Sequence, residues 1–381
     1  MIIDLFKAFF SLIKLNLVIL LSKIFFPKKI IIFFYWPKKH MIQNENYIED
    51  LFDNLGKNFL VIFGFNSSNV AQHKHQYYIK YGSLKYIYNV DIFYDNVCVD
   101  LFTNKSIRIF MHHDIYDSPI IEKKKESNLF KRLIKYDFIF LSNNKNMLMF
   151  KNIFKKHNSD LNNKIPNLME AGYPKLDYLK KKIKQNELIK NDIIVAPTLY
   201  NHVEKYSMFD DLKKIIEILL INTTSKVIFR PHPTNKKTPI VLKIEKNFKN
   251  EKNFRFDTNN DYFDTYTKSM CLITDISGTA YTYAFLTKKP VIFFSKNEKL
   301  NNRCEFKNLS YFKDREKIGV IAKDLNEIKK AIINIKYIEK KIKVSNDLLE
   351  KEINYLGNSK NRIRELINQI LIQKNKLYTK N

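Results

Sequence analysis

Glycine is scarce in this chain, with 7 residues among 381. None of the glycines form G-x-x-x-x-G-K-[ST] or G-x-G-x-x-G, the loops that bring closely spaced backbone N–H groups to phosphates. No G-x-S-x-G turn presents a nucleophilic serine either. The sequence therefore excludes P-loop proteins, proteins with the glycine-rich dinucleotide motif, and α/β-hydrolases. If the protein binds phosphates, it must use helix N-termini and cationic side chains.

Cysteine is scarcer still, and the three residues are Cys98, Cys271 and Cys304. Their wide spacing, with no CxxC and no Cys/His pairing, argues against a zinc site or a disulfide framework. We therefore expect no metal and no cofactor. Cys98 and Cys271 lie in apolar runs and are predicted to be small core residues. A reducing, cytosolic location fits this pattern.

Acidic residues are outnumbered, because 66 lysines and arginines face 39 aspartates and glutamates, for a net charge of +27. This excess suggests an anionic partner such as nucleic acid, an acidic membrane face or a phosphorylated substrate. The alternative is that the excess lysines and arginines simply lie on solvent-exposed faces of the protein. No zinc finger, basic zipper or RNA-recognition signature accompanies it, so we expect no nucleic-acid partner.

The N-terminal residues 1–27 are rich in Leu, Ile and Phe, but Lys7, Lys14 and Lys23 interrupt them. The longest uncharged stretch, 15–22, is much shorter than the ~20 residues of a spanning helix. We predict a helix that lies in the membrane interface with its lysines on anionic headgroups. The alternative is a helix packed on the protein's own surface.

Short apolar runs alternate with longer amphipathic ones from residue 28 onward, which is typical of parallel sheets covered by helices. The length of the chain favours two domains. We predict an α/β protein with two Rossmann-like domains and closing C-terminal helices. The predicted boundaries are 1–27 for the membrane-associated helix, 28–185 for an acceptor and base domain, 190–343 for a nucleotide-donor domain, and 344–381 for the closing helices.

Polar residues collect in the loops that follow the apolar runs, where open α/β sheets bind ligands. In "VAPT", Thr198 is a candidate for binding phosphate. In "FRPHP", Arg230 and His232 form a stiff cationic clamp for a diphosphate, with His232 able to donate a proton to a departing phosphate. The alternative is a capping arginine beside a buried histidine.

"TDISGTAYTYAF" follows another apolar run and presents Asp275, Ser277, Gly278 and Thr279 where a helix is predicted to begin near Thr279. Backbone N–H groups and hydroxyls at a helix start form an anion site. The alternative is ordinary helix capping by Asp275 or Ser277.

"FMHHDIYDSP" supplies His112 and His113, either of which could take a proton from an attacking hydroxyl, with Asp114 as an acidic neighbour. A metal site is the rival interpretation, but no third ligand is identifiable. "QHKHQYYIKYG", with His73 and His75, is interpreted as a solvated loop.

Together with "AGYPKLD", these loops resemble those of the CDP-glycerol glycerophosphotransferases, the teichoic-acid and capsule polymerase family with a GT-B fold. The similarity runs from about Ser106 to Phe294. Family members usually show a Trp-His-Gly version of the first motif, then Gly-Tyr-Pro, Ala-Pro-Thr, Arg-Pro-His-Pro and Thr-Asp-x-Ser-Ser. Here Met111, His113 and Gly278 depart from that pattern.

The resemblance implies two domains that face a cleft, with His112 as the catalytic base and Arg230, His232, Asp275 and Ser277 on the donor's phosphates and glycerol. Because His113 replaces the family's glycine, which histidine is the base stays open. The expected partners are a CDP-linked donor, a glycan or polyol-phosphate acceptor, and an anionic membrane surface, with the protein peripheral on the cytoplasmic face.

The predicted reaction moves a glycerol phosphate, or a related alditol phosphate, to an acceptor hydroxyl in teichoic-acid-like or capsule synthesis. One alternative is a GT-B glycosyltransferase that uses a nucleotide-sugar for capsule or lipopolysaccharide assembly. A third hypothesis is a non-catalytic basic protein that docks on membranes or nucleic acid.

Overall fold

The computed structural model describes residues 2–37, 46–53, 55–67, 75–116, 123–158, 164–183, 191–200, 206–259, 261–298 and 309–378. Its strands are β1 (Ile30–Trp36), β2 (Phe59–Phe65), β3 (Gln76–Tyr78), β4 (Ile92–Asp95), β5 (Ile107–Met111), β6 (Phe138–Leu141), β7 (Asn167–Glu170), β8 (Asp192–Val195), β9 (Val227–Phe229), β10 (Phe254–Phe256), β11 (Ser269–Thr274), β12 (Val291–Phe294) and β13 (Gly319–Ala322).

The helices are α1 (Ile2–Phe25), α2 (Asn46–Phe52), α3 (Lys123–Leu133), α4 (Asn144–His157), α5 (Pro174–Lys182), α6 (Leu212–Asn222), α7 (Pro239–Phe248), α8 (Phe263–Thr267), α9 (Thr279–Thr287), α10 (Ser310–Lys313), α11 (Arg315–Ile318), α12 (Leu325–Ile333), α13 (Ile335–Lys341), α14 (Asn346–Glu352) and α15 (Ser359–Tyr378). Three short 3₁₀ helices cover Tyr81–Tyr86, Phe209–Asp211 and Pro233–Asn235.

The chain forms two compact units, and the first contains Met1–His113, Glu122–Lys175 and Asn354–Asn381. Its seven-stranded sheet has the order β3-β2-β1-β4-β5-β6-β7, and every pairing is parallel. Strands buried on both faces read as continuous apolar runs, which is why "IIIFFYW" forms β1. The interpretation of residues 72–82 as a solvated loop is wrong at Gln76–Tyr78, because β3 pairs with β2 at the sheet edge.

The second unit contains Asp114–Ile121 and Leu176–Ile353. Its six strands have the order β10-β9-β8-β11-β12-β13, again all parallel. The order reverses between β8 and β11, which is the topological switch point of a doubly wound sheet. An apolar core cluster on this sheet includes Cys271, which is fully buried as predicted. Cys98 is also buried, in the core of the first unit, whereas Cys304 lies outside the described residues.

Helix α1 belongs to the first unit and packs on it through one face. Leu15 and Ile19 are fully buried there. On one flank, Asn16 donates to the carbonyl of Tyr86 and accepts from the N–H of Tyr88, and Lys23 pairs with Asp91 at 2.6 Å. By length and composition alone, the helix could also cross a membrane.

The opposite face of α1 exposes a band of large apolar side chains: Ile3, Leu5, Phe6, Phe9, Phe10, Ile13, Leu17, Leu20, Leu21, Ile24 and Phe25. We call this band the α1 apolar face. A helix packed on a protein normally turns such residues inward. The structure therefore shows the packing on the protein's own surface that the second alternative described, and the location of the exposed face in a membrane interface stays a prediction.

The C-terminal helix α15 packs within the first unit. Residues that the sequence predicted to close the fold, such as Ile363 and Leu366, are fully buried. The Ser359 hydroxyl accepts from the N–H of Tyr173, and Gly172 has a φ of +81°, a conformation that favours glycine. The two compact units have other limits than the predicted boundaries at 185 and 344, and those boundaries, as functional domains, stay a prediction.

Candidate functional site

Three loops meet at the carboxyl edge of the second sheet, after β8, β9 and β11. Asp275, after β11, accepts from the N–H of Thr198, after β8, at 2.9 Å. Asn235, after β9, accepts from the N–H of Tyr200 at 3.4 Å. The structure thus brings together the loops of the second unit that the sequence singled out, and it does so at the switch point where such sheets bind ligands.

The side chain of Asp275 connects the loops after β8 and β11. Its carboxylate is buried and also accepts from the N–H of Met208 at 3.0 Å. Burial raises the pKa of Asp275 to about 6, and the backbone N–H groups moderate that rise. Asp275 was predicted to touch the donor, but the structure shows its carboxylate occupied in bracing the loops after β8 and β11.

Arg230 leaves β9 and is 8% exposed. Its Nη1 donates to Asp257 Oδ2 at 2.6 Å and to the carbonyl of Asn259 at 3.0 Å. Asp257 directly follows β10, the neighbouring strand, and it also accepts from the hydroxyl of Thr265 at 2.7 Å. Burial by itself raises the pKa of Asp257, but the Arg230 charge and the hydrogen bonds outweigh it and bring that pKa below its usual value. The alternative of a structurally paired arginine therefore has direct support.

His232 lies between Pro231 and Pro233 and is half-buried. Its Nδ1 accepts from the backbone N–H of Thr234 at 3.2 Å. Because a backbone N–H can only donate, a neutral His232 carries its proton on Nε2. In this tautomer Nε2–H is a hydrogen-bond donor, and the predicted role of His232 toward a phosphate stays a prediction.

Ser277, Gly278 and Thr279 lead into α9, which begins at Thr279 as predicted. The carbonyl of Ser277 accepts from Tyr311 Oη at 3.1 Å, and Thr279 Oγ1 bonds with Tyr266 Oη. Within the described part of the chain, no group hydrogen-bonds the Ser277 hydroxyl, which is half-buried beside the helix start.

Gly278 is packed so closely that only glycine fits. A Cβ added there would lie 2.8 Å from the carbonyl oxygen of Tyr116 and 3.0 Å from Asp114 Oδ2. The residues that directly follow His113 in the chain therefore pack against the start of α9. Tyr116 is itself held by the carboxylates of Asp314, at 2.9 Å, and Glu352.

His112 and His113 follow β5 in the first unit. The N–H of His112 continues the sheet by donating to the carbonyl of Phe140 at 2.9 Å, and the side chain is buried. Nδ1 of His112 lies 3.4 Å from the side-chain amide of Asn146, in the first turn of α4. His113 is half-buried, and its carbonyl accepts from Tyr173 Oη at 3.1 Å.

Sequence reasoning did not find Asp257, Asn146, Tyr116 or Tyr311, the residues that hold these loops. Each acts on a partner that is distant along the chain or on a neighbouring strand, so no local motif reveals it. Among the described residues, no group of three or more His, Cys, Asp or Glu side chains is placed to hold a metal ion.

Two parallel, doubly wound units with phosphate-compatible loops at a carboxyl edge define the GT-B class of transferase. Solved structures agree on the fold. The wall teichoic acid polymerase TagF superimposes with a TM-score of 0.61 at 18% identity, over 91% of this chain and 90% of that one. A variant of TagF soaked with CDPG gives 0.63 at 19% identity, over 91% and 90%. The S. aureus MnaA–UDP co-structure gives 0.57 at 14% identity, over 90% and 97%.

A family model described as CDP-glycerol:poly(glycerophosphate) glycerophosphotransferase matches residues 95–369. The chain belongs to this family. The minor teichoic acid biosynthesis protein GgaB of Bacillus subtilis (strain 168) is 23% identical over 46% of this chain and 23% of its own length. The chain therefore matches about a quarter of that relative.

Proposed function

We propose that the protein transfers a glycerol phosphate, or a related alditol phosphate, from a CDP-linked donor to an acceptor hydroxyl during synthesis of a teichoic-acid-like or capsule polymer. The observation that carries the proposal is the family match, which spans all the loops described above. The geometry of the second unit supports it, because the start of α9, with the Ser277 hydroxyl beside it, is a favourable setting for phosphate, and the turn that carries His232 lies at the same carboxyl edge of the sheet.

The proposed reaction is a displacement at phosphorus. His112, with His113 as the alternative, accepts the proton of the acceptor hydroxyl, and that oxygen forms a bond to the β-phosphorus of the donor. The bond from the β-phosphorus to the oxygen that bridges the two phosphates breaks, and CMP leaves. His232 and the start of α9 stabilise the negative charge on the departing phosphate.

Arg230 has a different proposed role. Because its guanidinium is paired with Asp257, it is proposed to act as a positioned positive charge behind the donor diphosphate while it fixes the loop after β10. The nearby Lys236 donates to the carbonyls of Thr258 and Asn259, at 2.8 and 3.2 Å, and adds a second cation to the same edge.

The test is the release of CMP from CDP-glycerol by wild type and by His232→Gln. Loss of one preorganised donor to a developing charge is expected to lower turnover by about 10²–10³-fold. Lys237→Gln, an exposed change in the same connection, is the matched control and should keep wild-type turnover. Equal turnover in His232→Gln and wild type would remove His232 from the mechanism.

The identity of the released nucleotide separates this reaction from its main rival. Release of CMP, with the phosphate retained in the product, supports phosphotransfer. Release of a nucleoside diphosphate from a nucleotide-sugar would instead establish a glycosyltransferase.

We further propose that the α1 apolar face rests on an anionic membrane, at the cytoplasmic side. Beside it, a cavity of about 490 Å³ between α1 and β3 is lined by Ser11, Lys14 and Gln76 among others. Lys7 and Lys14 are two helical turns apart and lie on one flank of the face, where headgroup phosphates would lie.

Vesicle co-sedimentation tests this location. The variant Phe6→Ser/Phe9→Ser/Ile13→Ser should lose binding to vesicles that contain phosphatidylglycerol, because the buried apolar area drives insertion. Ile221→Ser removes an exposed apolar side chain of the second unit and is expected to leave binding unchanged. Undiminished binding of the triple variant would contradict the proposal.

A further inference from the structure

The two flanks of α1 differ in how their polar side chains are satisfied. On one flank, Asn16 bonds to the backbone of the first unit and Lys23 pairs with Asp91 at 2.6 Å. On the opposite flank Lys7 and Lys14 are exposed. Within the part of the chain that the structure describes, no carboxylate lies within ion-pair distance of either lysine. This second flank therefore carries positive charge that its described neighbours do not neutralise.

A cavity of about 490 Å³ lies between this second flank and β3. Its volume falls in the range of sites that bind small molecules. Its wall has two kinds of surface, as such sites usually do. The apolar part includes Phe10, Val18 and Tyr77, and the polar part includes Ser11, Lys14 and Gln76.

Strand β3 brings backbone groups to the same cavity, because it is the edge strand of its sheet. In its ladder with β2, the carbonyl of His75 accepts from the N–H of Phe63 and the N–H of Ile79 donates to the carbonyl of Phe65, at 2.9 Å each. Alternate residues of a parallel strand direct their backbone groups to opposite sides. The N–H of Gln76 therefore points away from β2, toward the open edge where Gln76 borders the cavity.

The charge of the wall suits an anion. Lys14 is the one permanently charged side chain among the described residues of the wall. Two acids lie near the cavity without lining it. Burial and the charge of Asp4 raise the pKa of Tyr78, in β3, and Glu49 accepts from Gln76 Nε2 at 2.9 Å. The bond from Gln76 occupies Glu49 and leaves Lys14 to set the sign of charge in the cavity.

The cavity is continuous with the α1 apolar face through Phe10. This side chain lines the cavity, belongs to the α1 apolar face and is 65% exposed. A hydrocarbon chain that lies along the α1 apolar face can therefore reach the cavity without leaving apolar surface. A ligand that matches both surfaces has a phosphate at one end and hydrocarbon at the other.

We propose that this cavity binds the headgroup of a single anionic phospholipid, with the phosphate on Lys14 and the acyl chains along the α1 apolar face. Ser11 and Gln76 offer polar groups to the hydroxyls of a glycerol headgroup. The inference rests on the membrane location in the proposed function and deepens it. In place of diffuse attraction to a charged surface, it assigns one lipid to one site.

The first experiment titrates dihexanoyl-phosphatidylglycerol, below its critical micelle concentration, into the full-length protein in a calorimeter. Wild type should bind one molecule per chain. Lys14→Gln should weaken binding about tenfold to a hundredfold, because a hydrogen bond between charged groups is lost. Lys7→Gln is the matched control, because it removes the same charge from the same flank without touching the cavity, and its affinity should stay within about twofold of wild type.

Equal losses in Lys7→Gln and Lys14→Gln would show diffuse electrostatic attraction and overturn the proposal, as would wild type that binds no monomeric lipid. Ser11→Phe provides a second variant, because its ring occupies the cavity. It should abolish binding of the monomeric lipid while thermal unfolding stays cooperative. A folded Ser11→Phe that binds the lipid like wild type would place the ligand elsewhere.

Glycerol 1-phosphate distinguishes a lipid from a soluble polyol phosphate. It should bind at least tenfold more weakly than the lipid, because it lacks the acyl chains. Equal affinity would overturn the assignment to a lipid.

Vesicles separate this inference from the proposal on which it rests. If wild type binds phosphatidylglycerol vesicles but no monomeric lipid, the membrane location stands and the cavity site fails. If wild type binds the monomeric lipid but no vesicles, the membrane location fails instead. Neither measurement involves CMP release, so the proposed reaction is tested independently.

Discussion

The turn after β5 in the first unit and the turn after β9 in the second each present a histidine at the end of a parallel strand, but their surroundings differ. His112 is buried beside the rings of Phe110 and Phe150 and the side-chain amide of Asn146. His232 is half-buried, and Arg230, two residues before it, is paired with Asp257. The comparison teaches that the same strand-to-turn position can hold one histidine in a buried aromatic setting and another in a stiff, half-exposed turn between two prolines.

The Arg230–Asp257 pair gives the largest expected effect. Arg230→Ala would leave a buried carboxylate without its main partner and should lower the free energy of unfolding by about 3–5 kcal/mol. Urea denaturation measures this. The double variant Arg230→Leu/Asp257→Leu should recover most of the lost stability. If Arg230→Ala were as stable as wild type, the ion pair would not stabilise this edge of the sheet.

The pH dependence of stability compares buried carboxylates in the two units. Burial raises the pKa of Asp275 and of Asp95, at the end of β4, to about 6 each. An acid with a raised folded pKa costs stability above that pKa, and the cost is relieved as pH falls from about 6 towards 4. Relative to Asp275→Asn, wild type should gain about 3 kcal/mol over that range.

Asp95→Asn provides the same comparison in the first unit. Relative to this variant, wild type should also gain stability as the pH falls. Urea unfolding at several pH values provides the data for both variants. A difference between wild type and Asp275→Asn that does not change with pH would mean that hydrogen bonds from Thr198 and Met208 cancel the effect of burial.

Two glycines, one in each unit, differ in the space available for a side chain. Gly278→Ser would force Cβ against the carbonyl of Tyr116 and should cost about 1–3 kcal/mol of stability, with a loss of transfer. Gly82→Ser, in the first unit, has no heavy atom within 4 Å of the added Cβ and should be tolerated. Thermal unfolding and CMP release are the measurements. Equal behaviour of the two variants would show that the close approach at Gly278 is not required.

The smallest expected effect concerns the attachment of α1. Asn16→Ala removes the bonds to the backbone of Tyr86 and Tyr88 and should lower stability by about 1 kcal/mol. Chemical denaturation detects this change. A loss several times larger would mean that α1 is more deeply coupled to the first sheet than its hydrogen bonds indicate.

Much of the fold could be predicted because buried parallel strands are continuous apolar runs. The start of α9 at Thr279 was also predicted correctly. Strands β3 and β4 were missed because they are short, and β4 is flanked by Asp91 and ends at Asp95. Those carboxylates accept N–H groups of the fold, from Ile31 and from Val97 and Cys98, so they are structural although they resemble loop residues.

The candidate site was predictable in position and less so in contacts. His232, Ser277 and Thr198 lie at strand ends, where a run of apolar residues stops. The pairing of Arg230 with Asp257 depends on the register of β9 with β10, which opposes Phe229 and Phe256. The sequence does not show which strands are neighbours, so such partners become visible only in the folded chain.

The first unit is built from both sides of the second in sequence, since Asn354–Asn381 returns to it. Asn354 donates to the carbonyl of Ser142 at 3.0 Å, directly beside the turn that carries Asn146. During translation, Leu176–Ile353 is therefore available before the segment that completes the earlier unit. The residues that support the turn after β5 are therefore synthesised in two separate stretches of the chain. Until Asn354 has been synthesised, the carbonyl of Ser142 lacks this hydrogen bond.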